Sequence, residues 1–149
     1  MRKMMYGVTL VELMVVIVIL GIIAAFAVPG YRQYMMRANR TDATTALLRI
    51  AAAQERWFIA NGQYATTAAE LQNSPPAGLG FNSTERGFYN LNVRPAAGGP
   101  AVGYTVLATP VAGERQADDE QCQGFAVNER GQRQATDGGG GDTTDECWR

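Results

Sequence analysis

The chain of 149 residues contains no histidine, so the side chain that most often serves as general base and metal ligand near neutral pH is missing. Any catalytic reading would rest on carboxylates, Lys, Tyr or Cys, and no nucleophile motif accompanies them. Net charge is also nearly absent, at -1, which gives neither the basic surface of a nucleic-acid binder nor the acidic run of a solvating tail. Cysteine is scarce, with only Cys122 and Cys147, both near the C-terminus. Charge is missing altogether from Leu13 to Val28, and between Val8 and Tyr31 the single charged residue is Glu12. Length and a hydrophobic content of 46% suit one compact domain. The apolar residues are nonetheless concentrated in that one segment, and the remainder of the chain is polar and rich in glycine.

The start Met1-Arg2-Lys3 leads through Gly7 into the run from Val8 to Tyr31. At about 1.5 Å per residue, a helix over this run spans a bilayer of roughly 30 Å. The positive-inside rule leaves Arg2 and Lys3 in the cytoplasm and sends the rest of the chain across the membrane. The run exceeds the apolar core of about 7 to 15 residues in a removable secretory signal, and it carries a carboxylate near its start. A plain single-pass anchor accounts for the hydrophobicity but not for Glu12. An acid at membrane depth costs up to about 2.5 to 3.5 kcal/mol and is usually paired or functional. Apolar neighbours, at about 0.3 to 0.6 kcal/mol each for the best, outweigh it. Insertion is feasible, and the carboxylate still needs a partner.

Gly7 followed by Val8-Thr9-Leu10-Val11-Glu12-Leu13-Met14-Val15-Val16 resembles the class III leader and N-methylation signature of type IV prepilins and pseudopilins. With the apolar helix behind it, the resemblance covers about the first fifth of the chain. It implies residues 1–7 as a cytoplasmic leader, 8–30 as a transmembrane and fibre-core helix, and 31–149 as an exported pilin domain. A prepilin peptidase would cut between Gly7 and Val8 and methylate the new amine of Val8. Val8 stands where the family usually has Phe. Glu12 would pair with the N-terminal amine of a neighbouring subunit and so set the register of assembly, since a buried carboxylate beside a cation is tolerable where either alone is costly. Gly21 and Pro29 match the family's helix-softening positions; Gly weakens a helix and Pro removes one of its hydrogen bonds, so a local kink or softened turn is expected. The implied partners are major and minor pilin subunits, the peptidase, the inner-membrane assembly machinery and the inner membrane of a Gram-negative bacterium. An extracellular fibre is the destination, and no cofactor, metal or nucleic acid is expected.

Beyond Pro29 the helical pattern continues through Tyr31, Tyr34, Ala38, Ala43, Leu47, Ile50, Gln54 and Trp57, with Arg37, Arg40, Asp42, Arg49 and Glu55 interspersed. This predicts one long helix, stopped at Asn61-Gly62. Thr67-Ala68-Ala69-Glu70 fits a capping box for a short helix ended by Ser74-Pro75-Pro76. Tyr89, Leu91 and Val93 alternate with polar residues, and Tyr104–Ala108 follows after a turn-rich insert. Gly124–Asn128 and Gln132–Thr136 flank Glu129-Arg130-Gly131, a hairpin pattern. The expected fold class is α+β, a type IV pilin fold with a long N-terminal helix covering an antiparallel sheet of about four strands. The acidic clusters Asp118-Asp119-Glu120 and Asp142 with Asp145-Glu146 read as solvated loops without calcium-ligand spacing.

An exported segment meets an oxidising compartment, which favours pairing Cys122 with Cys147; without histidine, two cysteines make a poor zinc site. A C-terminal disulfide-bounded loop is also what the pilin resemblance implies. These features most resemble a minor pilin of a type IV pilus. The alternatives are a pseudopilin of a type II secretion system, whose major form typically uses calcium in place of the disulfide, a DNA-uptake pilin, and a membrane-tethered binding domain or enzyme.

Overall fold

A computed structural model describes residues 8–149. Among these, helix α1 (Leu10–Asn61) is followed by α2 (Ala68–Gln72), strands β1 (Tyr89–Pro95) and β2 (Tyr104–Pro110), a 3-10 turn (Arg115–Asp118), strands β3 (Gly124–Asn128) and β4 (Arg133–Thr136), and α3 (Thr144–Cys147). The chain falls into two units, the first ending at Met35 and the second being Met36–Arg149.

α1 runs without a break through Gly21 and Pro29. Pro29 has no N–H to give the carbonyl one turn back, so one rung of the helix is missing there. The helix stops at Gly62, which takes a φ of 71° while its N–H donates to Phe58 O at 2.8 Å. A residue with a Cβ resists that left-handed conformation, so glycine fixes the C-terminus here. The capping box of α2 forms in both directions: Thr67 Oγ1 accepts from Glu70 N–H, and Glu70 Oε2 accepts from Thr67 N–H. Burial raises the Glu70 pKa, yet hydrogen bonds from the Thr66 and Thr67 N–H groups and the Thr67 hydroxyl hold it below its ordinary value.

In the second unit the strands form one antiparallel sheet in the order β1-β2-β3-β4. Its register pairs Leu91 with Ala108, Val106 with Val127 and Phe125 with Ala135. Tyr89, Leu91 and Val93 are buried while Asn90, Asn92 and Arg94 are exposed, as a period of two demands when one face is covered. Ala43, Ala46, Leu47 and Ile50 of α1 join Tyr104, Val106, Phe125 and Val127 of the sheet in a single core. Burying Leu47 or Ile50 contributes about 1.5 to 3 kcal/mol apiece. Gln54, inside the same apolar stripe, is fully buried; its Nε2 donates to Ala65 O at 2.6 Å and its Oε1 accepts from Ala65 N–H at 2.9 Å. One side chain thus ties down the turn that leaves α1.

Both outer strands are blunted. Along β4, Thr143 N–H donates to Ala135 O at 3.0 Å, Ala135 N–H to Thr144 Oγ1 at 2.9 Å, and Trp148 Nε1–H to Gln134 O at 2.9 Å. On β1, Val93 N–H donates to Asn92 Oδ1 at 2.7 Å, and Pro95 has no N–H to offer. β4 begins at Arg133 and not at Gln132, because Gln132 closes the hairpin: its N–H donates to Asn128 Oδ1 and its carbonyl accepts from Asn128 N–H.

Candidate functional site

The first unit is defined by exposure. Every large apolar side chain from Leu10 to Val28 is at least half open, from 50% at Ile19 to 79% at Phe26. A helix in the core of a water-soluble domain would show the opposite, since each such side chain left in water forgoes about 1.5 to 3 kcal/mol. Among the described residues this one helix is long and apolar enough to cross a membrane, and none of that stretch is buried. Tyr31 and Tyr34, read from the sequence as part of the packing stripe, are also exposed within the single chain.

At the head of this surface, Glu12 Oε2 accepts from Thr9 N–H and Thr9 Oγ1, each at 3.2 Å, and Glu12 N–H donates to Thr9 Oγ1 at 3.2 Å. This is a capping box like that of α2. It favours an acid at the positive end of the helix dipole, and Thr-x-x-Glu before an apolar run is the local sequence signal for it. The hydrogen bonds come from the chain itself and bring no opposite charge. Val8 is the first described residue and is largely exposed; the cleavage expectation at Gly7 falls outside the described residues. A Cβ added at Gly21 would meet no atom within 4 Å, so packing inside this chain does not require glycine there.

In the second unit Cys122 and Cys147 are bonded, with Cα atoms 5.9 Å apart, and both are buried. The reading of Asp118-Asp119-Glu120 as a solvated loop needs correction: Asp118 and Glu120 are exposed, but Asp119 is only 4% exposed. Arg40 of α1 binds it two-pronged, Nε to Oδ2 and Nη2 to Oδ1, both at 2.7 Å. Gln116 Nε2 adds a donor to Asp119 Oδ2 at 2.9 Å and also reaches Met36 O at 3.2 Å. The hydrogen bond to Asp119, opposed by burial, holds the Arg40 pKa above its ordinary value. This pairing spans 79 positions, and no local pattern separates Asp119 from its acidic neighbours. Among the described residues no group of His, Cys, Asp or Glu is disposed to hold a metal ion.

Residues 2–28 match a family described as the prokaryotic N-terminal methylation motif. Residues 29–126, about two thirds of the chain, match one described as "Type IV minor pilin ComP, DNA uptake sequence receptor". Over 72 residues the chain is 36% identical to the type IV major pilin protein PilA of Myxococcus xanthus, covering 48% of this chain and 33% of that one. Over 42 residues it is 45% identical to the type IV major fimbrial protein FimA of Dichelobacter nodosus, covering 28% and 26%. The matched stretches thus span a third or less of these relatives' length. The solved structure of a type IV pilin from Shewanella oneidensis aligns with a TM-score of 0.45 at 28% identity, over 66% of this chain and 89% of that one. With the methylation motif at its head and the pilin family matched over most of the remainder, the chain belongs to the type IV pilin family.

Proposed function

We propose that this chain is a structural subunit of a type IV pilus, of the minor class, held in the inner membrane by residues 8–30 and packed through the same helix into an extracellular fibre. One observation carries the reading: α1 exposes every large apolar side chain from Leu10 to Val28 and heads that surface with a single carboxylate, Glu12. Cleavage by a prepilin peptidase between Gly7 and Val8, with methylation at Val8, creates a cationic end. Glu12 accepts that end from a neighbouring subunit as the helices leave lipid for the fibre core, where an uncompensated acid would be costly. Gly21 and Pro29 let the helix extend during that transfer. The subunit's work is structural, with no catalytic residue and no cofactor. Its partners are other pilins and the inner-membrane assembly machinery. The minor class is supported by the description of the family matched by residues 29–126.

Mass spectrometry of sheared surface fibres tests this. The polypeptide is expected there, beginning at methylated Val8 and at low ratio to another subunit; a finished chain that retains its first seven residues refutes the reading. Glu12→Ala is expected to abolish incorporation while membrane levels hold. If Glu12→Ala still functions and a detached domain keeps full activity, the chain is a tethered binding domain or enzyme. The Cys122–Cys147 bridge favours a pilus over a type II secretion pseudopilin.

A second reading comes from the matched family's description as a DNA uptake sequence receptor, although the chain's net charge is nearly zero. Binding of the oxidised chain to duplex DNA, weakening steeply as salt rises, would support it; no binding at low salt would remove it.

A further inference from the structure

Glu12 is followed by no charge until Arg32, twenty residues later along a continuous helix. At about 1.5 Å per residue these two charges stand about 30 Å apart, the thickness of a bilayer's hydrocarbon core. When Glu12 is at one boundary, Arg32 is at the other. Tyr31 and Tyr34 flank it, three residues apart and so on one helix face, 63% and 69% exposed. Arg32 is exposed and, among the described residues, has no ion-pair partner.

We propose that Tyr31, Arg32 and Tyr34 form a belt that binds the phosphate headgroups of anionic phospholipid in the outer leaflet of the inner membrane and sets the depth at which the subunit is stored. The proposal rests on the membrane-spanning reading of α1 and adds the lipid and the residues that select it. A guanidinium matches a phosphate's oxygens with two parallel donors. Helical side chains lean toward the N-terminus, which carries the Arg32 head back to the boundary and not out into the periplasm. Tyrosine suits the same level, with its ring among the upper chain segments and its hydroxyl among the headgroups. The positive-inside rule disfavours a cation just beyond the exported end of a span, and a phosphate partner compensates for that placement. Glu12 then waits at the opposite boundary, capped by Thr9, and is dehydrated only when the helix moves into a fibre.

The test uses the full, oxidised chain in vesicles of phosphatidylcholine with a fraction of phosphatidylglycerol, with spin-labelled lipids reporting which headgroup collects around the protein. Phosphatidylglycerol is expected to be enriched. Arg32→Gln should lower that preference by up to about five-fold, and Arg32→Lys should restore part of it. An unchanged preference in Arg32→Gln overturns the proposal. So does Arg32-dependent self-association of the chains without lipid selectivity, which would assign the face to a second copy. Because Cys122 and Cys147 are bonded to each other, single thiols at Ile19→Cys and Gln33→Cys separate this failure from failure of the spanning reading. A water-soluble maleimide that reacts at position 19 shows that α1 does not span. Protection at 19 with reaction at 33 and no headgroup preference leaves the span standing and removes the belt alone.

Discussion

Replacing Asp119 by alanine isolates the one charged pair that is withdrawn from water among the described residues. The change strips Arg40 of two hydrogen bonds at 2.7 Å and Gln116 of one at 2.9 Å. It leaves the guanidinium with only 12% of its side chain exposed. Breaking a fully buried pair by deleting one member costs about 3 to 5 kcal/mol. Water reaches the open edge of Arg40, and Gln116 keeps its bond to Met36 O, so the lower end, about 3 kcal/mol, is expected. For a unit of this size that corresponds to a fall in Tm of about 12 °C. Removing both charges together, as Arg40→Met with Asp119→Leu, leaves no unpaired charge and is expected within about 1 kcal/mol of the parent. Urea unfolding of the oxidised full chain in detergent, followed by tryptophan fluorescence, compares Asp119→Ala with the parent, and the parent, Arg40→Met, Asp119→Leu and their double variant supply the four corners of the cycle. A loss below about 1 kcal/mol for Asp119→Ala would refute the reasoning, and so would a double variant as unstable as the worse single one.

Opening the Cys122–Cys147 loop by paired alanine substitution should cost about 3.5 kcal/mol, the closure entropy of a 25-residue separation; superimposable unfolding curves would contradict this. Gln54→Leu leaves the N–H and carbonyl of Ala65 without their buried partners, an expected loss of about 2 to 3 kcal/mol by the same assay. Burial raises the pKa of both Tyr89 and Tyr104. Their contribution to stability is therefore complete below the ordinary value near 10 and is lost as pH climbs above it, because the unfolded chain ionises first. Absorbance at the tyrosinate band should show these two groups titrating only as the fold is lost, and their ionisation in the intact fold would count against the assignment.

What could be read from the residues was what repeats locally. The alternation of Tyr89, Leu91 and Val93, the Thr67 to Glu70 box and the glycine stop at Gly62 each act over a few positions, and each was formed by the chain. The leader signature with Glu12 marked the family for the same reason. What escaped depends on partners far apart in sequence. Asp119 looks identical to Asp118 until Arg40, from the middle of α1, is brought against it. Gln54 sat in the apolar stripe as an apparent break in hydrophobicity, and only the returning turn at Ala65 explains why a polar side chain belongs there. The Thr9 to Glu12 box was local and legible, but the methylation motif written over the same residues hid it.

Under the proposed function, the blunted strands have a consequence for subunits that crowd together. Subunits concentrated in one plane and fed in succession to a growing polymer would stack edge on edge if their sheets offered free backbone groups, and such cross-strand stacks are hard to reverse. With β4 roofed by the C-terminal segment and β1 ending in proline, neither outer strand offers a neighbour a full ladder. Polymerisation, on the same proposal, is left to the apolar half of α1, whose exposed side chains suit the bilayer and a fibre core alike.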